Sequence, residues 1–197
     1  MGAPKLDRDF YEIEEYFALL DDSQNKLEYV NGIIIELSGA TANHNRIKED
    51  TSGYIYSRLD DCHPLGSDMA VSVQAITSYY FPDLVYVCEE EDTFEDENET
   101  RLINPSVIIE VLSKSTEVRD RGDKFHAYWQ LPSLKEYILI DSRTMRVDIF
   151  SRSEENTWLM HSYTQYGDIA SIATLNVKVP LEAIYKRVKF QTSSLNS

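Results

Sequence analysis

One carboxylate constrains this chain more than any other residue. Glu110 stands inside the apolar run Ser106-Val107-Ile108-Ile109-Glu110-Val111-Leu112. Such a run reads as a buried strand. A charge inside it must be neutralised, paired or bound to a metal, because an isolated buried charge is very costly. A second carboxylate, Asp83, follows Pro82 and opens another apolar run, Leu84-Val85-Tyr86-Val87-Cys88. If the two strands pair antiparallel, the start of one meets the end of the other, and the carboxylates come close. Alternation puts Ile108, Glu110 and Leu112 on one face and Val107, Ile109 and Val111 on the other. Lys124 follows four residues after Asp120, so both occupy one face of the next helix.

Two carboxylates on neighbouring strands with a lysine in reach are what a divalent-metal phosphodiesterase site requires. In that reading Asp83 and Glu110 hold Mg²⁺ or Mn²⁺ as hard oxygen ligands, and the Val111 carbonyl supplies a further oxygen. Lys124 orients the attacking water or stabilises the transition state. Each residue also has a bland reading. Asp83 after a proline is a common turn residue, Glu110 and Lys124 can form a structural ion pair, and a lone helical lysine is usually solvated. His44 can cap a helix or bond a loop. The joint pattern, more than any single residue, favours the site.

The rest of the chain reads as one domain over residues 1–197, with its core at about 7–187 and a polar tail at 191–197. A helix is expected over Asp7–Leu20 with Asp7 as N-cap, since Ile13, Tyr16, Phe17 and Leu20 share one face. Asn31-Gly32 between apolar runs signals a hairpin. Asn43 is expected to cap a helix from about His44 to Leu59. Ala70–Ile76, Leu84–Cys88 and Val107–Leu112 read as strands, and Asp120–Gln130 as a helix. Glu136–Asp141 and Arg146–Phe150 read as a hairpin, followed by strands near Trp158–Tyr163 and Ala170–Leu175 and a short terminal helix from Pro180. This order fits an α/β (α+β) fold with a mixed, curved sheet flanked by helices.

The formal net charge is −15, which argues against tight, nonspecific duplex binding. The charge is uneven. Residues 1–100 hold 23 Asp and Glu against 6 Lys and Arg, and residues 101–197 hold 11 against 13. Glu89–Glu99 alone holds 8 carboxylates and reads as a solvated, mobile loop. Phosphate binding near Lys114, Arg119, Arg121 and Lys124 stays compatible with this distribution. Cys62 and Cys88, the two cysteines, lack metal-type spacing and read as reduced packing residues. No apolar run reaches the ~20 residues of a membrane span, and Met1–Asp7 carries no secretory h-region. The expectation is a cytoplasmic protein without membrane contact.

Pro82-Asp83, Glu110-Val111-Leu112-Ser113, Ser115-Thr116, Asp120, Lys124, Tyr128, Glu136-Tyr137 and Asp141 occur in an order that resembles a large bacterial family. Upstream, Glu28-Tyr29-Val30-Asn31-Gly32 and His44 extend the likeness. The family comprises restriction-endonuclease-like proteins of the PD-(D/E)XK nuclease superfamily. The resemblance covers about residues 7–187. It implies a restriction-endonuclease-like core, dependence on Mg²⁺ or Mn²⁺, DNA as substrate and, by analogy with duplex-cutting relatives, a homodimer. Pro82-Asp83 matches the first element and Glu110 the acidic position of the second. Leu112 stands where the superfamily lysine normally is, and Lys124 looks like its migrated replacement. Glu28 is the candidate for an additional catalytic acid, with Glu49 as its competitor. The alternative is a catalytically silent module of the same fold that binds nucleic acid or protein.

Overall fold

The computed structural model describes residues 6, 8–89 and 91–190. Asp7 and the expected tail at 191–197 lie outside them. Helix α1 spans Ile13–Asp22 and starts later than its sequence pattern suggested, because Glu12 and Glu15 form a reciprocal capping box. Strands β1 (Leu27–Val30) and β2 (Ile33–Glu36) pair antiparallel, with Val30 opposite Ile33. Asn31 and Gly32 turn between them at φ 46° and 91°, the positive angles that a two-residue hairpin of this hand requires. A side chain on Gly32 would also collide with the Phe10 ring, 2.2 Å from where its Cβ would sit.

Helix α2 (Ala42–Tyr56) is capped by Thr41, whose side chain accepts the His44 backbone N–H. Asn43, the expected cap, instead bonds the Lys189 main chain. Next come β3 (His63–Leu65), β4 (Ala70–Val73), β5 (Ser78–Tyr80), β6 (Leu84–Val87), β7 (Arg101–Leu102) and β8 (Val107–Leu112). The strand expected to run to Ile76 stops at Val73, and a 3-10 turn takes Gln74–Ile76. Helix α3 (Glu117–Arg119) runs through a π-helical turn, Asp120–Lys124, into α4 (Phe125–Tyr128). Strands β9 (Glu136–Asp141), β10 (Val147–Arg152), β11 (Trp158–Tyr163), β12 (Ile169–Ile172) and β13 (Val177–Pro180) precede α5 (Leu181–Tyr185).

The central sheet has the order β11-β10-β9-β8-β6-β3. Among the described residues its only parallel pair is β8 with β9, and a parallel pair needs a crossover between its strands. The α3–α4 segment is that crossover. A second sheet runs β2-β1-β5-β4-β7, and β12 pairs with β13. The fold is mixed α+β, as expected.

All six residues of β8 are buried, and the strand separates two cores. Val107, Ile109 and Val111 pack with Ile47 and Ile55 of α2, Val179 of β13 and Ile184 of α5. Ile108 and Leu112 pack with Ala127 and Tyr128 of α4. This is the division that period-2 alternation requires, and it sends Glu110 to the α3–α4 side. Among the described residues no helix is long and apolar enough to cross a membrane.

Cys62 and Cys88 are not reduced packing residues: they form a disulfide across a sequence separation of 26. The cause is a strand, β3, that the sequence did not disclose. Its register sets His63 opposite Val87, so Cys62 and Cys88 form the next facing pair, with Cα atoms 4.3 Å apart. The cytoplasmic expectation loses the support it drew from free thiols. A crosslink closing a loop of this size stabilises by about 3 kcal/mol in the chain-entropy account. Cys62→Ser is therefore expected to lower the chemical-denaturation free energy by about that much, and dithiothreitol should reproduce the loss in the wild type. Equal stability of the oxidised wild type and the variant would contradict the crosslink.

The acidic segment is also more structured than its charge suggested. Asp96 Oδ1 accepts the Thr100 and Arg101 backbone N–H groups, and Phe94 bridges Leu102. Glu95 pairs with Arg101, Asp92 with His63, and Glu89 with Lys135. Like charges in sequence are thus distributed to different partners in space. Glu90 lies outside the described residues.

Candidate active site

The antiparallel pairing of β6 with β8 sets Leu84 opposite Ile109. Continued by one residue, that register brings Asp83 opposite Glu110 on one face. Asp83 Oδ2 accepts the Val111 backbone N–H at 2.8 Å, and Oδ1 meets His44 Nε2 at 2.8 Å. Burial pushes the Asp83 carboxyl up, but the bonds to His44 and Val111 outweigh it and hold the group below its usual range.

The crossover carries Lys124 over the same strand end. Its Nζ donates to Glu110 Oε1 at 2.8 Å. It lies 3.1 Å from Glu28 Oε1 and 3.7 Å from Asp120 Oδ1. The π-helical turn shapes this approach, and such turns recur at functional sites. Tyr137 steadies the turn by donating its hydroxyl to the Asp120 carbonyl at 2.9 Å. One turn beyond Lys124, the Tyr128 hydroxyl donates to Glu110 Oε1 at 3.3 Å. Glu28, from β1, accepts the Phe81 backbone N–H at 3.0 Å through Oε1 and pairs with Arg119 through Oε2. Lys124, Glu28, Glu110 and Asp120 are all buried.

Three carboxylates around one ammonium set the electrostatics. Burial pushes Glu110 up to about 8; Lys124 opposes this, and Asp120 and Asp83 add to it. Burial likewise raises Asp120. Burial disfavours the Lys124 charge, yet Glu110, Glu28 and Asp120 outweigh that and hold its pKa above the ordinary value. The lysine is therefore a fixed cation, and the excess negative charge falls on the carboxylates around it.

These groups open onto one cleft of about 340 Å³, lined by Asp83, Glu110, Asp120, Lys124, Arg119 and His44 among others. The donors have the chemistry of a hard-cation site, with two opposed carboxylates and the main chain of Val111 at the cleft wall. Among the described residues no group of three or more His, Cys, Asp or Glu is arranged to hold an ion by itself. Asp83 and Glu110 are two hard oxygen donors, and Mg²⁺ commonly completes its shell with water.

Asp83, Glu110, Lys124 and Glu28, the four residues singled out from the sequence, thus meet at one place. Glu49, the competing acid, does not: its side chain is 67% exposed and pairs with Lys48 at 3.6 Å. Leu112 is buried in the core, so the position that would hold the superfamily lysine offers no charge to the cleft. The His44–Asp83 contact, the Arg119–Glu28 pair and the Tyr128–Glu110 bond were not foreseen as parts of the site. The order of His44 and Tyr128 in the family likeness was the available signal. Nothing in local spacing indicated their partners, which lie 39 and 18 residues away.

The chain is similar to known proteins in sequence and in fold. The sequence model of the Uma2 family, described as "Putative restriction endonuclease", matches residues 13–182. The chain is 30% identical over 180 residues to the uncharacterized protein slr1290 of Synechocystis sp., covering 90% of this chain and 92% of that protein. It is 36% identical over 148 residues to the uncharacterized protein sll1609 of the same organism, covering 74% and 83%. A crystal structure described as a putative nuclease belonging to DUF820, from Anabaena variabilis, superposes with a TM-score of 0.71 at 15% identity. The match covers 87% of this chain and 96% of that one, and at that identity it speaks for a shared fold.

Proposed function

Because this chain belongs to the Uma2 family, described as "Putative restriction endonuclease", we propose that it is a metal-dependent endonuclease that hydrolyses DNA phosphodiester bonds. The observation that carries the reading is the Lys124 ammonium, 2.8 Å from Glu110 at the strand end that Asp83 also occupies. Asp83, Glu110 and the Val111 carbonyl would hold Mg²⁺ or Mn²⁺. The ion would supply an activated water and neutralise charge on the phosphoryl oxygens.

The chain's own residues do the rest. His44 and the Val111 N–H fix the Asp83 carboxylate and keep it ionised. Tyr128 and Lys124 fix Glu110 through Oε1. Glu28 and Asp120 hold Lys124 charged and in place. From there the ammonium orients the attacking water and stabilises charge in the transition state. The ammonium is preorganised by buried partners, so little rearrangement is needed when charge develops.

A metal titration tests the binding half of this proposal. Millimolar Mg²⁺ or Mn²⁺ is expected to raise the melting temperature by mass action. The rise should be larger at pH 8 than at pH 6, because below about 8 a cation must displace the proton that burial holds on Glu110. Asp83→Asn should abolish the effect. A melting temperature indifferent to metal at both pH values would count against the site.

One observation favours a second reading, a silent nuclease-fold module. Lys124 is surrounded by Glu110, Glu28 and Asp120, and a structural cation would look the same. The two readings separate on cleavage of plasmid and single-stranded DNA with Mg²⁺ or Mn²⁺. The nuclease reading requires nicked or shortened product, and a silent module gives none under any condition.

A further inference from the structure

A second cavity lies near the cleft and lacks the carboxylates that line it. Its volume is about 450 Å³. Lys114, Arg143, Lys189, Thr41, Ser113 and Phe190 are among the residues that line it, and among the described residues no Asp or Glu does. In a chain of net charge −15, three cations around a carboxylate-free cavity are a departure that needs a reason. The catalytic proposal uses none of these six residues.

The cations differ in how they are held. Arg143 is fixed by Asp141 at 2.8 Å and by Glu117 at 2.6 Å, so its charge is largely offset. Among the described residues Lys114 and Lys189 have no ion-pair partner. The Lys189 backbone is tied to α2: Asn43 Nδ2 donates to its carbonyl at 2.9 Å. Phe190 is 36% exposed and packs on Tyr185 with ring centroids 5.6 Å apart, which leaves part of the ring open to a ligand. Two unpaired ammonium groups, hydroxyls and a half-open aromatic ring are what a phosphate-sugar-base unit requires.

The two cavities are lined by neighbouring residues, with none common to both. The cleft is lined by Ala40, His44 and Thr116, and the second cavity by Thr41, Ala42, Asn43, Ser113 and Lys114. The start of α2 and the loop 113–116 therefore border both. We infer that the second cavity is a subsite for a single polynucleotide strand, holding a phosphate and base next to the one at the cleft. The inference rests on the nuclease reading for the identity of the cleft. The strand is single because the aromatic ring needs an unstacked base, and because the strongly acidic remainder of the protein repels a second backbone.

The test is binding, read by fluorescence anisotropy with the full chain. Single-stranded DNA, single-stranded RNA and duplex DNA of equal length are compared, in the presence of Ca²⁺ and in EDTA. Lys114→Glu/Lys189→Glu is expected to weaken single-strand binding on the order of tenfold and to make the salt slope less negative by about 0.7, the value for one lost phosphate contact. Phe190→Ala should weaken binding without changing the salt slope, whereas Phe190→Trp should preserve it. Single strands should bind more tightly than duplex, and the DNA and RNA arms show whether the sugar is read. Unchanged affinity and slope in the double lysine variant would overturn the subsite, whether or not the protein cleaves. Stronger binding of duplex than of single strands would overturn it too. Intact binding that depends on these residues, with no cleavage by the wild type, would overturn the nuclease reading and keep the subsite.

Discussion

Lys124→Met is expected to lower phosphodiester cleavage by about 10²–10³, the range for losing one preorganised stabilising group. The methionine keeps the length of the stem and removes the charge. The change also costs stability. Lys124 is buried among Glu110, Glu28 and Asp120, and removing one partner of a buried charge network costs about 3–5 kcal/mol. Bound metal should recover part of that loss, since it replaces the missing positive charge beside Glu110. Lys124→Arg should recover little activity, because a planar fork does not replace a compact ammonium in a tight site. Rates are therefore to be compared at a temperature where both proteins are folded by circular dichroism. Cleavage by the folded methionine variant at the wild-type rate would remove Lys124 from the chemistry.

Glu110→Gln should separate activity from stability in the opposite way. The amide keeps the shape of the side chain and an oxygen that can accept from Lys124, but it cannot serve as an anionic ligand. Metal-dependent cleavage should fall below detection. Stability without metal should hold or rise. Burial raises the Glu110 carboxyl to about 8 in the folded protein, from 4.5. Its contribution to stability is thus fully present below about 4.5 and is lost as pH rises towards 8. The glutamine variant has no such loss. Its melting temperature should exceed that of the metal-free wild type at pH 8, and the gap should close towards pH 4.5. Destabilisation of the variant across this whole range would mean that the Glu110 charge is needed by Lys124 as a structural partner.

The parts of the structure legible in the sequence were those fixed by local physics. Asn31-Gly32 can only be a tight turn of the observed hand, and the alternation along β8 assigned each side chain to its core. The same alternation, with Asp83 at the start of one strand and Glu110 near the end of the next, was enough to bring the two carboxylates together. Lys124 was placed by its spacing from Asp120 and by the family likeness. What escaped depended on long-range pairing. β3 is a three-residue strand, His63–Leu65, with too few residues to show a period, and without it the Cys62–Cys88 disulfide was invisible. The cap of α2 moved to Thr41 because Asn43 is committed to Lys189, 146 residues away. The π-helical turn at Asp120–Lys124 has no sequence signal of its own, yet it sets how the lysine meets Glu110. For the acidic segment composition reports only charge, and two of its partners, His63 and Lys135, lie elsewhere in the fold.

The most direct measurement is cleavage of supercoiled plasmid and of single-stranded DNA by the purified protein, with Mg²⁺, with Mn²⁺ and with EDTA, beside Glu110→Gln. A metal-dependent nuclease gives product in the two metal lanes, none in EDTA, and none from Glu110→Gln although that variant stays folded. Cleavage by Glu110→Gln at the wild-type rate, or by the wild type in EDTA, would contradict that reading.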